Sequence, residues 1–270
     1  MNALRYLAYR PEFRRWSSSL GLSEVLSGWY CRWTRPKDDV LTVALGGVAG
    51  KFRVHTDREL RFLEAMAIYE RQVLERLLEI ARPGDIFYDV GAHAGLYSVL
   101  LAKALGAAGA VVAFEPEQDN YVHLAENLAL NQLENVRTFR KALGDHSGEG
   151  KLYLGKAGNL SMVPPDATGM QAQIIEVVQG DGFARDHALP VPRLVKIDVE
   201  GYEYAVLNGL RHTLADPACR LICCEIHPTL LPAGTTSDDV LTLIRGLGFT
   251  TIETLSGWRV FHAICQKTAH

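Results

Sequence analysis

The chain has 270 residues, 48% of them hydrophobic and 22% charged, with a formal net charge of −3. This is the balance of an ordinary globular protein, enough for one large α/β domain with or without an appendage. It argues against a nucleic-acid binder, which carries a basic stripe, and no apolar run approaches the roughly 18 residues of a membrane span.

Residues 1 to about 56 read as a lead-in of helix plus hairpin. Leu4, Leu7, Ala8 and Phe13 with Arg5, Arg10, Arg14 and Arg15 suggest a short amphipathic helix broken near Pro11. Packing on the main domain is the favoured use of such a helix, and a membrane-surface role is the other. Met1 to Trp16 has no continuous apolar core and is not read as a secretory signal. Leu41–Leu45, Gly46-Gly47 and Lys51–Val54 read as the hairpin.

The principal domain is expected over residues 57–270. Phe62, Met66, Tyr69, Val73, Leu77 and Ile80 recur at threes and fours and predict one helix, which Pro83-Gly84 ends. Glu70 lies on this helix, where a solvated or ion-paired carboxylate is the plain expectation. Ile86-Phe87-Tyr88-Asp89-Val90 is an apolar strand, followed by Gly91, Ala92, His93, Ala94 and Gly95 and then by helical spacing at Leu96, Val99 and Leu100. Strand, glycine turn and helix open a nucleotide-binding α/β sheet. The spacing is G-x-x-x-G and an acid already closes the strand, unlike the G-x-G-x-x-G of dinucleotide folds. A carboxylate there suits a cationic, amino-acid-like ligand such as S-adenosylmethionine better than a pyrophosphate, which it would repel. A strand-turn-helix with no ligand is the alternative.

Ala110–Phe114 forms the next strand and ends at Glu115-Pro116, about 26 residues after Asp89, close to one βαβ repeat. A carboxylate at that tip can take both hydroxyls of a ribose. Tyr121, Leu124 and Leu128 mark a helix, and Val136–Phe139 is the third strand, with Ala142 to Asp145 after it. Asp145 is read either as an adenine contact or as a turn acid. A β-rich insertion is expected at about 150–182. Its loop, with Gly158, Asn159, Pro164, Pro165 and Gly169, suits an active-site lid.

Leu194–Ile197 resumes the sheet with Lys196 and Asp198 on one side and Glu200 and Glu203 just beyond. So many charges at the end of a buried strand need partners or a ligand. Leu221–Cys224 follows and ends at Glu225-Ile226-His227-Pro228, and two last strands are expected near Thr250–Glu253 and Trp258–Cys265. The predicted fold is therefore a Rossmann-like α/β sheet of about seven strands, the last antiparallel. The five cysteines follow no metal spacing, and buried thiols in a reducing cytoplasm are the natural reading.

Three stretches, PGDIFYDVGAHAGLYS at 83–98, VVAFEPEQDNYVHLAENLALN at 111–131 and VKIDVEGYEYAVLNGL at 195–210, resemble the FkbM family of S-adenosylmethionine-dependent methyltransferases, and EIHP at 225–228 also fits. The K-x-D-x-E-G-x-E block is the specific part. The resemblance implies methyl transfer to a hydroxyl of a sugar, glycan, polyketide or similar small molecule. The candidate cofactor-binding positions are Glu70, Asp89, Gly91, Ala92, His93, Gly95, Glu115, Pro116, Asn120, Ala142, Asp145 and Asp198. His93 stands where the family often has asparagine and is given no dedicated side-chain contact. Asp198 is the first choice for orienting or deprotonating the hydroxyl and His227 the second, with Lys196 and Glu225 beside them. A structural Lys196–Asp198 ion pair and a turn-capping His227 are the plain alternatives. Metal-independent transfer is favoured, although the carboxylates permit magnesium. The competing classes are an NAD-dependent oxidoreductase and a non-catalytic scaffold of the same fold. A homo-oligomer is compatible with this composition.

Overall fold

The computed structural model describes residues 23–154, 160–161, 172–256 and 260–268. Helix α1 (Ser23–Thr34) leads into strands β1 (Val40–Leu45) and β2 (Val48–Arg53), which pair antiparallel across Gly46-Gly47. Both glycines have positive φ, as a tight hairpin turn of this kind requires. The hairpin lies against the main domain. Asn127 Oδ1 accepts from Arg53 N at 2.7 Å, Asn127 Nδ2 donates to Ala94 O at 2.8 Å, and Asn131 holds Lys51.

The helix predicted over residues 57–80 is two helices, α2 (Asp57–Tyr69) and α3 (Arg71–Ile80), divided at Glu70. The apolar stripe misled in its first half. Leu60, Leu63 and Ala67 are the buried apolar residues of α2, whereas Phe62 and Tyr69 are exposed. The division frees Glu70 from the helix surface and turns its carboxylate inward. Helix α1 was not anticipated, because Gly28 and scattered aromatics obscure its period. The amphipathic stretch near Pro11 and, apart from Leu160–Ser161, the proposed lid loop lie outside the described residues.

Next come β3 (Ile86–Val90), α4 (Leu96–Leu105), β4 (Ala110–Phe114), α5 (Gln118–Leu130) and β5 (Val136–Phe139). The chain then builds a smaller sheet from β6 (Ala142–Gly144), β7 (Gly148–Leu154), β8 (Leu160–Ser161) and β9 (Ala172–Gln179), in the order β6-β9-β7-β8. It returns through α6 (Gly180–Asp186), β10 (Leu194–Ile197), α7 (Glu203–Gly209), α8 (Arg211–Ala215) and β11 (Leu221–Ile226). It ends with α9 (Ser237–Gly246), β12 (Thr251–Ser256) and β13 (Phe261–Gln266). Trp258, expected at the start of the last strand, lies outside the described residues.

The main sheet has the order β12-β13-β11-β10-β3-β4-β5. Strands β5, β4, β3, β10 and β11 run parallel, and β13 runs antiparallel to both its neighbours. Every residue of β10 and β11 is buried, as strands covered on both faces require. Phe87 faces one core with Leu60, Leu74 and Leu100, while Tyr88 and Val90 face the other with Phe114, Val195 and Leu207. From β3 the chain first builds outward through β4 and β5, and later through β10 and β11 on the other side. The crevice between β3 and β10 is thus the topological switch point, where open α/β sheets bind ligands.

Candidate active site

The glycine turn spans this crevice, held from both sides. The amides of Gly91 and Ala92 both donate to Phe114 O at 3.0 Å, and Lys196 Nζ donates to Gly91 O at 2.7 Å. Gly91 has φ +82°, and a Cβ there would lie 1.8 Å from Asp198 O, so only glycine lets β3 and β10 come this close. Gly95, at φ +84°, caps α4 and packs against Leu124.

Glu115, just past β4, accepts from His93 N at 2.8 Å through one oxygen and from Glu117 N at 2.9 Å through the other. Burial pushes its carboxyl up to about 7, against those two amides. Each oxygen keeps a further lone pair for a ligand hydroxyl. The His93 ring stacks on Phe62 with centroids 4.3 Å apart, and burial pushes it down to about 4, so it is neutral. Asp89 is fully buried, with Oδ2 accepting from Ser98 Oγ at 2.6 Å. Its Oδ1 has no hydrogen-bond partner and faces Lys196 Nζ at 3.6 Å.

Lys196 also meets Asp198 Oδ2 at 3.2 Å and lies over the Tyr97 ring. Burial opposes its charge, yet Asp198 and Asp89 raise its pKa. Burial would raise Asp198 too, but Lys196, His227 and His262 hold it below the usual carboxylate range. Its side chain is 18% exposed, so an ionised carboxylate remains reachable at the tip of β10.

Beyond β11, His227 Nδ1 donates to the fully buried Glu203 at 2.7 Å, and Nε2 faces Glu200 at 3.5 Å and Glu225 at 3.8 Å. Burial opposes charge on His227, but the Glu203 bond wins and lifts it to about 9. His262, on β13, meets Glu70 at 2.8 Å and Glu225 at 3.4 Å, and these carboxylates lift it to about 10 against its burial. Burial, then Asp198, push Glu225 up to about 7. Tyr97 donates to Glu70 at 2.8 Å and completes the cluster.

These shifts fix the sign of a pH effect. Both histidines bind a proton more tightly folded than unfolded. Their contribution to stability is therefore complete below about pH 6.5 and is lost as pH rises through about 9 to 10. The thermal unfolding midpoint should fall between pH 7 and 10, and less steeply in His262→Gln. Equal slopes in the two proteins would contradict the pairing.

The structure thus gathers Asp89, Gly91, Lys196 and Asp198 at one point, Glu225 and His227 beside them, and Glu115 with His93 at the next strand tip. Glu70 joins the cluster through His262, as a buried ion pair and not a solvated one. Pro116 lies beside Glu115, and Asn120 is held by its backbone amide on Glu117 at 2.7 Å. Asp145, read either as an adenine contact or as a turn acid, lies in the bend directly after β6. It does not sit at the tip of β5, because Ala142–Gly144 leave the sheet to pair with β9, and it is exposed beside His146 at 2.7 Å. Ala142 is buried with Leu152, Ile175 and Val177 in the core of the smaller sheet. Sequence reasoning assigned no site role to Glu203, Tyr97, Ser98 or His262. Glu203 had a signal in the charge-dense block after Asp198, but His262 had none, since only the antiparallel return of β13 brings it opposite Glu225.

A sheet of this order with its antiparallel β13, a glycine turn at the switch point and acids ending β3 and β4 make this the fold of an S-adenosylmethionine-dependent methyltransferase. Residues 89–251 match the methyltransferase FkbM domain, and the chain belongs to that family. It is 26% identical over 219 residues to the hexuronic acid methyltransferase AglP of Haloferax volcanii, covering 81% of this chain and 85% of that protein. It is likewise 26% identical over 246 residues to the 31-O-demethyl-FK506 methyltransferase FkbM of Streptomyces tacrolimicus, covering 78% of this chain and 91% of that one. Among solved structures, the methyltransferase FkbM from Methylobacillus flagellatus superposes with a TM-score of 0.48 at 17% identity, covering 77% of this chain and 55% of that one.

Proposed function

We propose that this methyltransferase acts on a hydroxyl of a sugar, glycan, polyketide or similar small acceptor, and that Asp198 carries that hydroxyl. The observation behind this reading is the ionised, reachable Asp198 carboxylate at the tip of β10, braced by Lys196 at 3.2 Å. S-adenosylmethionine supplies a methyl group already activated on a sulfonium. The protein's own residues suit it. Among the described residues, the ion-paired cluster at the crevice has six carboxyl groups, Glu70, Asp89, Asp198, Glu200, Glu203 and Glu225, against the three cations Lys196, His227 and His262. That excess favours a cationic ligand, and the buried, unbonded Asp89 Oδ1 points to a polar partner still to come. Glu115 would hold the ribose hydroxyls, and the turn from Gly91 to Gly95 would let the ligand approach the backbone. Glu115→Ala should weaken S-adenosylmethionine binding by about 1.5–3 kcal/mol, the scale of hydrogen bonds to a charged group. Unchanged affinity by calorimetry would remove Glu115 from the site.

Asp198 would accept the hydroxyl proton and aim the oxygen at the methyl carbon. A carboxylate of lowered basicity is adequate, because the hydroxyl becomes strongly acidic as its oxygen gains the methyl group. His227, fixed by Glu203, would add a positive edge beside Glu225 and keep Asp198 ionised.

Transfer without a metal is part of this reading. Asp198, Glu225 and His227 could gather round one ion, their ligand atoms all lying within 4.8 Å of one another. Lys196 already neutralises Asp198, however, and His227 carries a proton that a metal would have to displace. Histidine is also a poor magnesium ligand. Turnover should survive exhaustive EDTA treatment. Loss on chelation, restored by magnesium, would recast Asp198 as a ligand. The five cysteines, all free and buried, support placement in a reducing cytoplasm.

A further inference from the structure

Charge is unevenly distributed along this chain. Residues 1–37 contain seven Lys or Arg and two Asp or Glu, a net +5, whereas the other 233 contain 21 and 29, a net −8. Three of the four tryptophans, Trp16, Trp29 and Trp33, fall in the same short segment. Within it, α1 has two unlike faces. Its inner face is fixed to α2, with Tyr30 OH donating to Glu64 at 2.7 Å and Cys31 fully buried beside Asp57 O. Its outer face presents Trp29 and Trp33, 64% and 78% exposed and one turn apart, with the exposed Arg32 beside them.

We propose that the outer face of α1 docks on the surface of an anionic lipid bilayer. Indole rings settle at the headgroup level, where one edge is wet and the body is apolar. Clustered basic residues are drawn to anionic lipid, while the acidic remainder of the chain is repelled and kept off the surface. No helix among the described residues is long and apolar enough to cross a membrane, so the contact is peripheral. A second copy of the chain is a poorer occupant. Two-fold pairing would set one basic segment against another, and two indoles fall far short of the roughly 800 Å² per partner of a stable interface. Nucleic acid is disfavoured because residues 16–31, which lead into and form most of α1, hold no Lys or Arg and carry Leu20, Leu22, Val25 and Leu26, for which bases and phosphates offer little. Docking would also orient the crevice. Helix α2, to which α1 is fixed, carries Phe62 against His93 and ends beside Glu70.

This inference does not depend on the identity of the acceptor. It is tested with the full chain and vesicles of phosphatidylcholine alone or with about 30% phosphatidylglycerol. The wild type should float with the anionic vesicles, with its tryptophan emission shifted to the blue, and bind the neutral ones at least about tenfold more weakly. High salt should weaken the anionic binding. Trp29→Ser/Trp33→Ser should lose about tenfold or more on anionic vesicles while keeping the wild-type melting temperature, since both rings lie outside the core. No flotation of the wild type, or equal binding by the double variant, would overturn the proposal. Tryptophan-dependent binding to single-stranded RNA without vesicle binding would assign the surface to nucleic acid instead.

Discussion

Asp198→Asn should lower the methyl-transfer rate by about 10²–10⁴-fold, the usual contribution of a positioned acid or base, while S-adenosylmethionine affinity stays near wild type. Asparagine keeps the shape of the side chain and can still accept from Lys196, so the tip of β10 has no reason to move. It loses the negative charge and the ability to take a proton. The Lys196 ammonium then remains buried with one fewer counterion, with Asp89 at 3.6 Å and Gly91 O at 2.7 Å still in place. A modest fall in melting temperature is therefore expected, with calorimetric cofactor affinity as the control. If affinity and rate fell together, Asp198 would be holding the cofactor or the fold, and the acceptor hydroxyl would need another partner. If neither fell, Glu225, whose carboxyl lies near 7, would become the base to test.

Gly91→Ala should be severely damaging for so small a substitution. The added Cβ would meet Asp198 O at 1.8 Å, a backbone atom that no rotamer change can clear, at a φ of +82°. The left-handed backbone alone costs an L residue about 1–2 kcal/mol, and forced repacking adds about 1–3 kcal/mol. Together these come to about 2–5 kcal/mol, a large share of the roughly 5–15 kcal/mol that keeps a domain folded. Relieving the clash would part β3 from β10, and with them Lys196 from Gly91 O and Asp198 N from Val90 O. We expect a large loss of the denaturation midpoint and no measurable cofactor binding. Gly84→Ala is the matched control. Its φ of +90° carries the same backbone strain, but nothing lies within 4 Å of the added Cβ, so only the first cost applies. Equal losses in the two variants would mean that backbone strain, not the closeness of β3 and β10, makes Gly91 necessary.

The contrast between these two glycines also shows what could be read in advance. The turn at 91–95 was legible because an acid, two glycines and resumed helical spacing occur within a few residues, and local chemistry alone explains them. Asp89, Glu115, Asp198 and Glu225 were legible as strand ends for the same reason. What escaped was whatever depends on chain that arrives from far away. Glu70 looks like a surface residue in any helical projection, and it turns inward only because two helices part at it and β13 brings His262 to meet it. Phe62 belonged to an apolar stripe, yet it faces the His93 ring in place of the core. Asp145 followed the third strand in sequence, but the parallel pairing of β6 with β9 draws that segment away. Periodicity reports which side of an element is apolar. It does not report which distant element will be there to meet it.

The Glu70–His262 pair joins residues 192 positions apart, from the boundary of α2 and α3 to the last strand in sequence, β13. For protein engineering this sets a rule for building chimaeras. An N-terminal region transplanted from a relative to change acceptor choice would leave His262 facing a foreign residue at position 70. The donor's residue at position 262 must therefore travel with its lead-in, although nearly the whole domain separates the two cut points. A hybrid made with one crossover should fold around an unmatched buried charge, while a hybrid exchanging both ends together should keep the junction closed.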